Sequence, residues 1–303
     1  MVTDTGELYE RKKIALLLLS VLFCAQAAFG QGTPRTASEF NSSGAAYYKS
    51  GDYAKAAEEF GQAIKLDPNS FTYYFNRGAS YYYLKDYDKA IADFTQADKL
   101  KPDNPAILSW RGDSYYLSGD LGKNLTELQR KALADFNRAI QLDPEDAWTY
   151  GRRALVYFNS WPRDWNKIFA DYNMSIRLNP DDPEVYVNRA EAYKAHDERG
   201  KAIADYTQAI RLKPNDALLY NARGDTYELE GDHVRAAADF GQAIRLEPNN
   251  GYFYFRRGNS YYAMEDFSKA KADMEMAVKY KWNVGWQYAQ AEDTLAELKK
   301  KGY

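Results

Sequence analysis

FTYYFNRGASYYYLKDYDKAIADFTQADKLKPDN, residues 71–104, is the stretch whose spacing decides the fold. Apolar and small side chains recur at Tyr74, Gly78 and Tyr81, and again at Ala90, Phe94 and Ala97. Both sets step by three or four, which places each on one face of a helix. Lys85-Asp86-Tyr87 separates the two sets, and Pro102, just after Leu100, ends the second. The stretch predicts two antiparallel helices, A and B, each with one apolar stripe. One pair cannot bury both stripes, so it must stack on copies of itself.

The copies run 37–70, 71–104, 105–146, 147–182, 183–216 and 217–250, with a degraded seventh at 251–284. The third has 42 residues and the fourth 36; the other four of the first six have 34. A small residue recurs in helix A at Gly44, Gly78, Gly112, Ala154, Ala190, Gly224 and Gly258, followed three places on by Tyr47, Tyr81, Tyr115, Tyr157, Tyr193, Tyr227 and Tyr261. Helix B repeats Ala56/Phe60/Ala63 as Ala202/Tyr206/Ala209 and Ala236/Phe240/Ala243, and Pro68, Pro102, Pro144, Pro180, Pro214 and Pro248 close the units. This pattern resembles the tetratricopeptide repeat. The resemblance implies an all-α fold, a right-handed superhelical solenoid of antiparallel helix pairs, with helix A lining a concave groove. It speaks to fold and leaves the partner open.

Composition narrows the function classes. The 303 residues carry a net charge of -3, so no basic field points to nucleic acid or an acidic membrane surface. Cys24 is the one cysteine, which removes disulfides, thiolate metal sites and a cysteine nucleophile from the rest of the chain. His196 and His233 read as solvated turn residues rather than metal ligands. No Ser-His-Asp spacing, phosphate loop, HExxH or calcium loop is present, so the reading is non-enzymatic, with no cofactor and no metal.

Residues 1–27 read as a secretory signal peptide: Arg11-Lys12-Lys13, an apolar run Ile14–Cys24, and the small-residue exit Ala25-Gln26-Ala27. The apolar run is shorter than the roughly 20 residues of a spanning helix, which disfavours an uncleaved anchor. Phe23 stands where a lipoprotein site at Cys24 needs a small residue. Residues 28–36 form a linker, and the mature chain is expected to be periplasmic or secreted.

Within the array, Gly51-Asp52, Gly119-Asp120 and Gly231-Asp232, with Asp86 and Asp266, predict a left-handed residue followed by an N-cap between helices A and B. Arg77, Arg111, Arg153, Arg189, Arg223 and Arg257 precede the small residue of helix A, while Asp93, Asp135, Asp171, Asp205, Asp239 and Asp273 precede the large residue of helix B. Repeat 1 has Ser43 and Glu59 instead. The co-occurrence predicts an Arg–Asp pair inside or between repeats. Arg-Gly-Asp at 111–113 and 223–225 falls mid-helix, so it is not read as an adhesion loop. Eight extra residues within Leu121–Lys131 predict either a helix B lengthened by about two turns or, from Gly122 and Asn124, an added part that begins as a loop. Ser160-Trp161-Pro162-Arg163-Asp164-Trp165 predicts tryptophans that pack on a neighbour in preference to contacting a partner. Residues 285–303 predict a capping helix, with Trp286, Ala289 and Leu295 over the open core and Lys299–Lys301 in its last turn.

The candidate site is the helix A face that the core stripe leaves over: Tyr48, Phe75, Asn76, Tyr82, Tyr83, Trp110, Tyr116, Trp148, Arg152, Phe158, Asn188, Asn221, Tyr252, Phe255, Arg256 and Tyr262. It is aromatic in repeats 2–4 and 7, and more acidic in repeats 5 and 6 with Glu184, Glu191, Asp225 and Glu228. Tyr, Trp and Arg are the residues that binding hot spots favour; the other reading of the same face is that many of these tyrosines brace adjacent repeats. A C-terminal carboxylate clamp is disfavoured, since Asn41 and Asn76 could begin one but Ala106 and Trp110 occupy the places of its cations. The expectation is a scaffold that binds a peptide segment or partner protein in an aromatic groove; the alternative is a cell-wall glycan stacked on the same rings. Self-association through the terminal repeats is compatible with the pattern.

Overall fold

The computed structural model describes residues 35–119, 125–280 and 285–303. The signal-peptide reading, Asp120 and Trp282 lie outside the described residues, as does the side chain of Trp286. Among the described residues all regular structure is helical, in fifteen helices. They are α1 (Ala37–Lys49), α2 (Tyr53–Leu66), α3 (Phe71–Tyr83), α4 (Tyr87–Leu100), α5 (Pro105–Gly119), α6 (Leu125–Leu142), α7 (Ala147–Asn159), α8 (Trp165–Leu178), α9 (Pro183–Ala195), α10 (Arg199–Leu212), α11 (Ala217–Leu229), α12 (His233–Leu246), α13 (Gly251–Ala263), α14 (Phe267–Lys279) and α15 (Gly285–Lys300). Each repeat is one consecutive pair, A then B, and α15 follows as the cap.

The turns behave as the side chains dictate. Asp52, Asp86, Asp164, Asp232 and Asp266 accept from the backbone N–H three residues on, capping α2, α4, α8, α12 and α14. Gly51 and Gly231 take the left-handed conformation before the cap, at φ 83° and 77°. Lys85, Asp197 and Glu265 do the same at φ about 60° without the benefit of a missing Cβ. At the other end of the pair, Asp182, Asp216 and Asn250 cap the next helix A.

The chain divides into two compact units, 1–180 and 181–303. In the first, Ala56, Phe60, Ala90, Phe94 and Ala97 of the B helices bury against Tyr48, Phe75 and Trp110 of the A helices. In the second, Ala243, Ile244, Met274 and Ala277 bury against Phe253, Tyr254 and Phe255. The small residue of helix A admits the large one of helix B: a Cβ on Gly44 would sit 2.7 Å from the Phe60 ring.

The Arg–Asp expectation resolves inside each repeat. All six arginines donate Nε and Nη2 to the two oxygens of the aspartate on their own helix B at 2.7–2.8 Å. Some then use Nη1 to reach the preceding repeat, at Asp98 from Arg111, Asn137 from Arg153 and Thr207 from Arg223. In repeat 1, Glu59 stands at the aspartate position and is held by Arg35, from just ahead of α1. The bond that is internal elsewhere is here supplied by the flank.

Helix α6 has 18 described residues against 14 in α2, α4, α8, α10 and α12, and α5 has two more than its 13-residue counterparts; the rest of the repeat 3 insertion, 120–124, lies outside the described residues. Two expectations are corrected. In α15, Ala289 is exposed, and the buried stripe is Ala291, Leu295 and Leu298, because those three residues, spaced by four and then three, face the last pair. The two turn tryptophans separate: Trp165 stacks on Phe169 at 6.0 Å, whereas Trp161 is 87% exposed.

Candidate functional site

In the first unit the A helices present a continuous run of rings. Tyr83 of α3 stacks on Tyr53 of α2 at 4.7 Å with 13° between planes. Tyr82 and Tyr83 both lie edge-on to Trp110 of α5, at 5.0 and 6.0 Å, and Trp110 tilts on Trp148 of α7 at 5.8 Å. Tyr48 closes the other end, edge-on to Tyr53 and Tyr83. Such pairs add to the burial of the rings themselves.

Beneath the run sits a closed polar centre. Asp113 of α5 is fully buried; it accepts from the Tyr82 hydroxyl at 2.5 Å and pairs with the Arg152 guanidinium of α7. Arg152 lies over the Trp148 and Tyr116 rings, so its charge is both neutralised and sandwiched. Burial first, and then the Asp113 charge, push the Tyr82 hydroxyl well above the usual tyrosine range.

The sixteen candidate residues fall into two groups. Tyr48, Phe75, Asn76, Trp110, Tyr116 and Phe255 are buried, at 2–8% exposure. Their placement on an open face is therefore corrected: they are consumed in bracing adjacent repeats. Asn76 donates to Asn41 at 2.9 Å, two buried amides satisfying each other, which also disposes of them as the start of a clamp. The Tyr116 hydroxyl accepts from Asn159. Tyr82, Tyr83, Trp148, Arg152, Phe158, Asn188, Asn221, Tyr252, Arg256 and Tyr262 keep partial exposure. Of these, Tyr82, Tyr83, Trp148 and Arg152 come together in the first unit. Phe158 joins Arg163 and Trp165 at the repeat 4 turn, with the Arg163 guanidinium 4.7 Å over its ring.

The second unit has a different face. Glu191 of α9 takes the Tyr206 hydroxyl and the Lys194 ammonium. Asp225 of α11 accepts from Asn221 at 3.2 Å and pairs with Arg256 of α13 at 2.6 Å. Glu228 accepts from the Ser260 hydroxyl at 2.5 Å and meets His233 Nδ1 at 3.1 Å. Tyr262 is tied to Glu297 of α15. Burial and the Glu191 charge push the Tyr206 hydroxyl up; burial also raises Asp225, against the pull of Arg256.

Two features went unread in the sequence. The first is the aromatic after the N-cap: Tyr53, Tyr87, Trp165 and Phe267 each meet a ring from the end of their own helix A, namely Tyr48, Tyr82, Phe158 and Tyr262. The second is why Arg-Gly-Asp recurs. In both copies the Arg pairs within its repeat, the Gly admits the helix B ring, and the Asp receives an Arg from the next repeat: Asp113 from Arg152 and Asp225 from Arg256. The visible signal was an Arg-Arg pair, 152–153 and 256–257, one repeat after each triplet.

Family models for the tetratricopeptide repeat match residues 43–105, 80–147, 217–250 and 252–281, and one for the TPR repeat matches 200–231, together more than half of the chain. No curated protein matches in sequence. Among solved structures, a tetratricopeptide repeat protein from Parabacteroides merdae is similar over 86% of this chain and 98% of its own, at 20% identity and TM-score 0.58. The C-terminal part of a TPR repeat-containing protein from Cytophaga hutchinsonii is similar over 84% and 98%, at 20% identity and TM-score 0.62. PilW, a type IV pilus biogenesis factor, is similar over 71% and 96%, at 20% identity and TM-score 0.62. At these identities the likeness concerns the fold. With the repeat models matched and the helices paired as they are, the chain belongs to the tetratricopeptide repeat family, whose fold is that of a protein-interaction scaffold.

Proposed function

We propose that the first unit binds an extended or helical segment of another protein along its A helices, with Tyr82, Tyr83, Trp148 and Arg152 as the contact surface. The observation that carries this reading is the run from Tyr53 through Tyr83 and Trp110 to Trp148. Rings already packed on one another offer apolar area with little side-chain entropy left to lose, which is what anchors a partner residue. The buried members, Tyr48, Phe75, Trp110 and Tyr116, act as the rigid backing. Stacking of a glycan needs open ring faces, whereas Trp110 is 3% exposed and one face of Tyr83 is taken by Tyr53, so the protein segment has the better support.

Among the described residues no helix is long and apolar enough to cross a membrane. Export through the signal peptide at 1–27 belongs to this proposal, and N-terminal sequencing of the protein from its host tests it. For the groove, the immobilised full chain is panned against a random phage-displayed 12-mer library, beside a Tyr83→Ala/Trp148→Ala variant of unchanged circular dichroism. Sequences enriched by the first and lost with the second support the reading; equal enrichment by both overturns it.

A further inference from the structure

The clasp arginines share two of their three guanidinium nitrogens with an aspartate, and the third nitrogen meets different fates. Nη1 of Arg153 and Arg223 finds Asn137 and Thr207, each just after the large residue of the preceding helix B. Ahead of Arg77 and Arg257 that same place is glycine, in the repeated run Phe-Gly-Gln-Ala-Ile at 60–64 and 240–244. A Cβ on Gly61 would lie 3.7 Å from Arg77 Nη1, and one on Gly241 would lie 3.5 Å from Arg257 Nη1. Each donor therefore points into the space that the missing side chain leaves. Among the described residues both arginines bond to their own aspartate alone. Both are 24% exposed, against 14–17% for Arg111, Arg153 and Arg223.

Packing does not call for these glycines. Glycine is a poor residue for a helix interior, and both Cβ distances are ordinary contacts, so a side chain would fit. The guanidinium groups, by contrast, are held in place. Arg77 lies over the Tyr74 and Tyr81 rings, and Arg257 over Tyr254 and Tyr261, at 5.8–5.9 Å. A donor fixed in this way loses little freedom on meeting an acceptor, and a charge-assisted bond is the strong kind. Asp93 and Asp273 already pair the two arginines. Four residues after each glycine stands an exposed cation, Lys65 or Arg245, with no ion pair among the described residues. Helical side chains lean toward the N-terminus, which brings both back over the glycine turn. Glu58, three residues before Gly61, acts on Lys55, and Ala238 takes its place in the second unit.

We propose that Gly61 with Arg77, and Gly241 with Arg257, form two copies of one docking notch, each receiving a carboxylate side chain of a protein partner. The carboxylate accepts from Nη1 and lies beside Lys65 or Arg245. Each notch is complete within its own unit. Where Asn137 or Thr207 stands, the chain fills the seat itself and receives nothing. The notches lie at the seam between a B helix and the A helix that follows it, so the inference is independent of the aromatic surface proposed above.

The test uses the full chain and a Gly61→Asn/Gly241→Asn variant, in which asparagine supplies the acceptor that Asn137 gives Arg153. The variant is expected to keep its circular dichroism and to raise its urea midpoint. Phage-displayed 12-mers are panned on the wild type, and a selected peptide is remade with its Asp or Glu changed to Asn or Gln. Fluorescence anisotropy reads binding to the wild type, to the asparagine variant and to Tyr83→Ala/Trp148→Ala. The expected result is a class of acidic peptides that weaken on the order of tenfold when neutralised, and by a similar factor on the asparagine variant. The same peptides bind Tyr83→Ala/Trp148→Ala unchanged. Selection without acidic peptides, or acidic peptides that bind the asparagine variant equally well, overturns the inference and leaves the groove reading standing if binding needs Tyr83 and Trp148. A urea midpoint lowered by the asparagines would give the glycines a packing role and overturns it as well. No enrichment on the wild type overturns both readings.

Discussion

The two units share a skeleton and differ in what they hang on it. Each has the Arg–Asp clasp between helices A and B, the small residue under the helix B side chain, and an aspartate that takes an arginine from the next repeat. In the first, that aspartate is sealed under tyrosine and tryptophan rings. In the second, the corresponding aspartate stands partly open among Asn221, Glu191 and Lys194. A repeat protein can thus change its surface chemistry position by position while the contacts that stack the repeats stay constant, because stability is carried by neighbour-to-neighbour interfaces.

The sharpest way to break the comparison is to neutralise both aspartates. Asp113→Asn leaves the Arg152 guanidinium, 13% exposed, without its carboxylate. Stranding a buried charge of this kind costs about 3 kcal/mol. Asp225→Asn does the same to Arg256, which is 24% exposed, so water compensates and the cost stays below about 1 kcal/mol. Urea unfolding of the two variants measures the gap. Equal losses would mean that the second centre is as closed as the first.

The second comparison concerns packing at one position. Gly78 and Ala190 are equivalent, and face Phe94 and Tyr206 respectively. A Cβ on Gly78 would lie 2.9 Å from the Phe94 ring, so Gly78→Ala forces that ring to move and is expected to cost about 1–3 kcal/mol. Ala190 already has its Cβ in place, fully buried against Ala202 and Tyr206, so Ala190→Gly forces nothing to move and loses helix propensity plus the burial of one methyl, about 1–2 kcal/mol. Thermal or urea melts that rank the two the other way would show that the second unit is the more tightly packed.

These cases also show what was legible beforehand. Period, small residue, clasp and terminal proline are local patterns, each needing one spacing within one repeat, and all of them appear in the structure. The site needed relations across repeats. Whether Tyr48 or Trp110 faces outward depends on the next repeat's helix A and on the aromatic after the N-cap, Tyr53 or Tyr87. Helix periodicity names a face of one helix, and a face is covered or open according to its neighbour. The Arg152–Asp113 and Arg256–Asp225 bonds span 39 and 31 residues, so they surface only when one repeat is compared with the next.

Alkaline pH probes both units at once. Tyr82 and Tyr206 are each held well above the ordinary tyrosine value of about 10 by burial, and then by Asp113 and Glu191. A group with a raised folded-state value contributes its full stability below the unfolded value and loses it as pH rises through the folded one. Above about pH 10 the unfolded chain therefore releases protons that the folded chain retains, and stability falls with pH. The urea midpoint is expected to drop between pH 9 and pH 11, and to drop less in a Tyr82→Phe/Tyr206→Phe variant. An unchanged slope would mean that neither hydroxyl is sheltered.

The smallest effect belongs to the repeat 4 turn, where two tryptophans four residues apart lead opposite lives. Trp165 is gripped by Phe169 and Phe158, with Arg163 across its face and bonded through Nε to the Phe158 carbonyl at 2.7 Å. Trp161 is 87% exposed. Trp161→Ser should leave stability within about 0.5 kcal/mol of the wild type, since an exposed side chain has no burial to lose. Trp165→Ser removes a ring from a packed cluster and should cost clearly more. A stability loss at Trp161 comparable to that at Trp165 would mean that the outer tryptophan is covered in solution, and would return the turn to the packing role that its sequence first suggested.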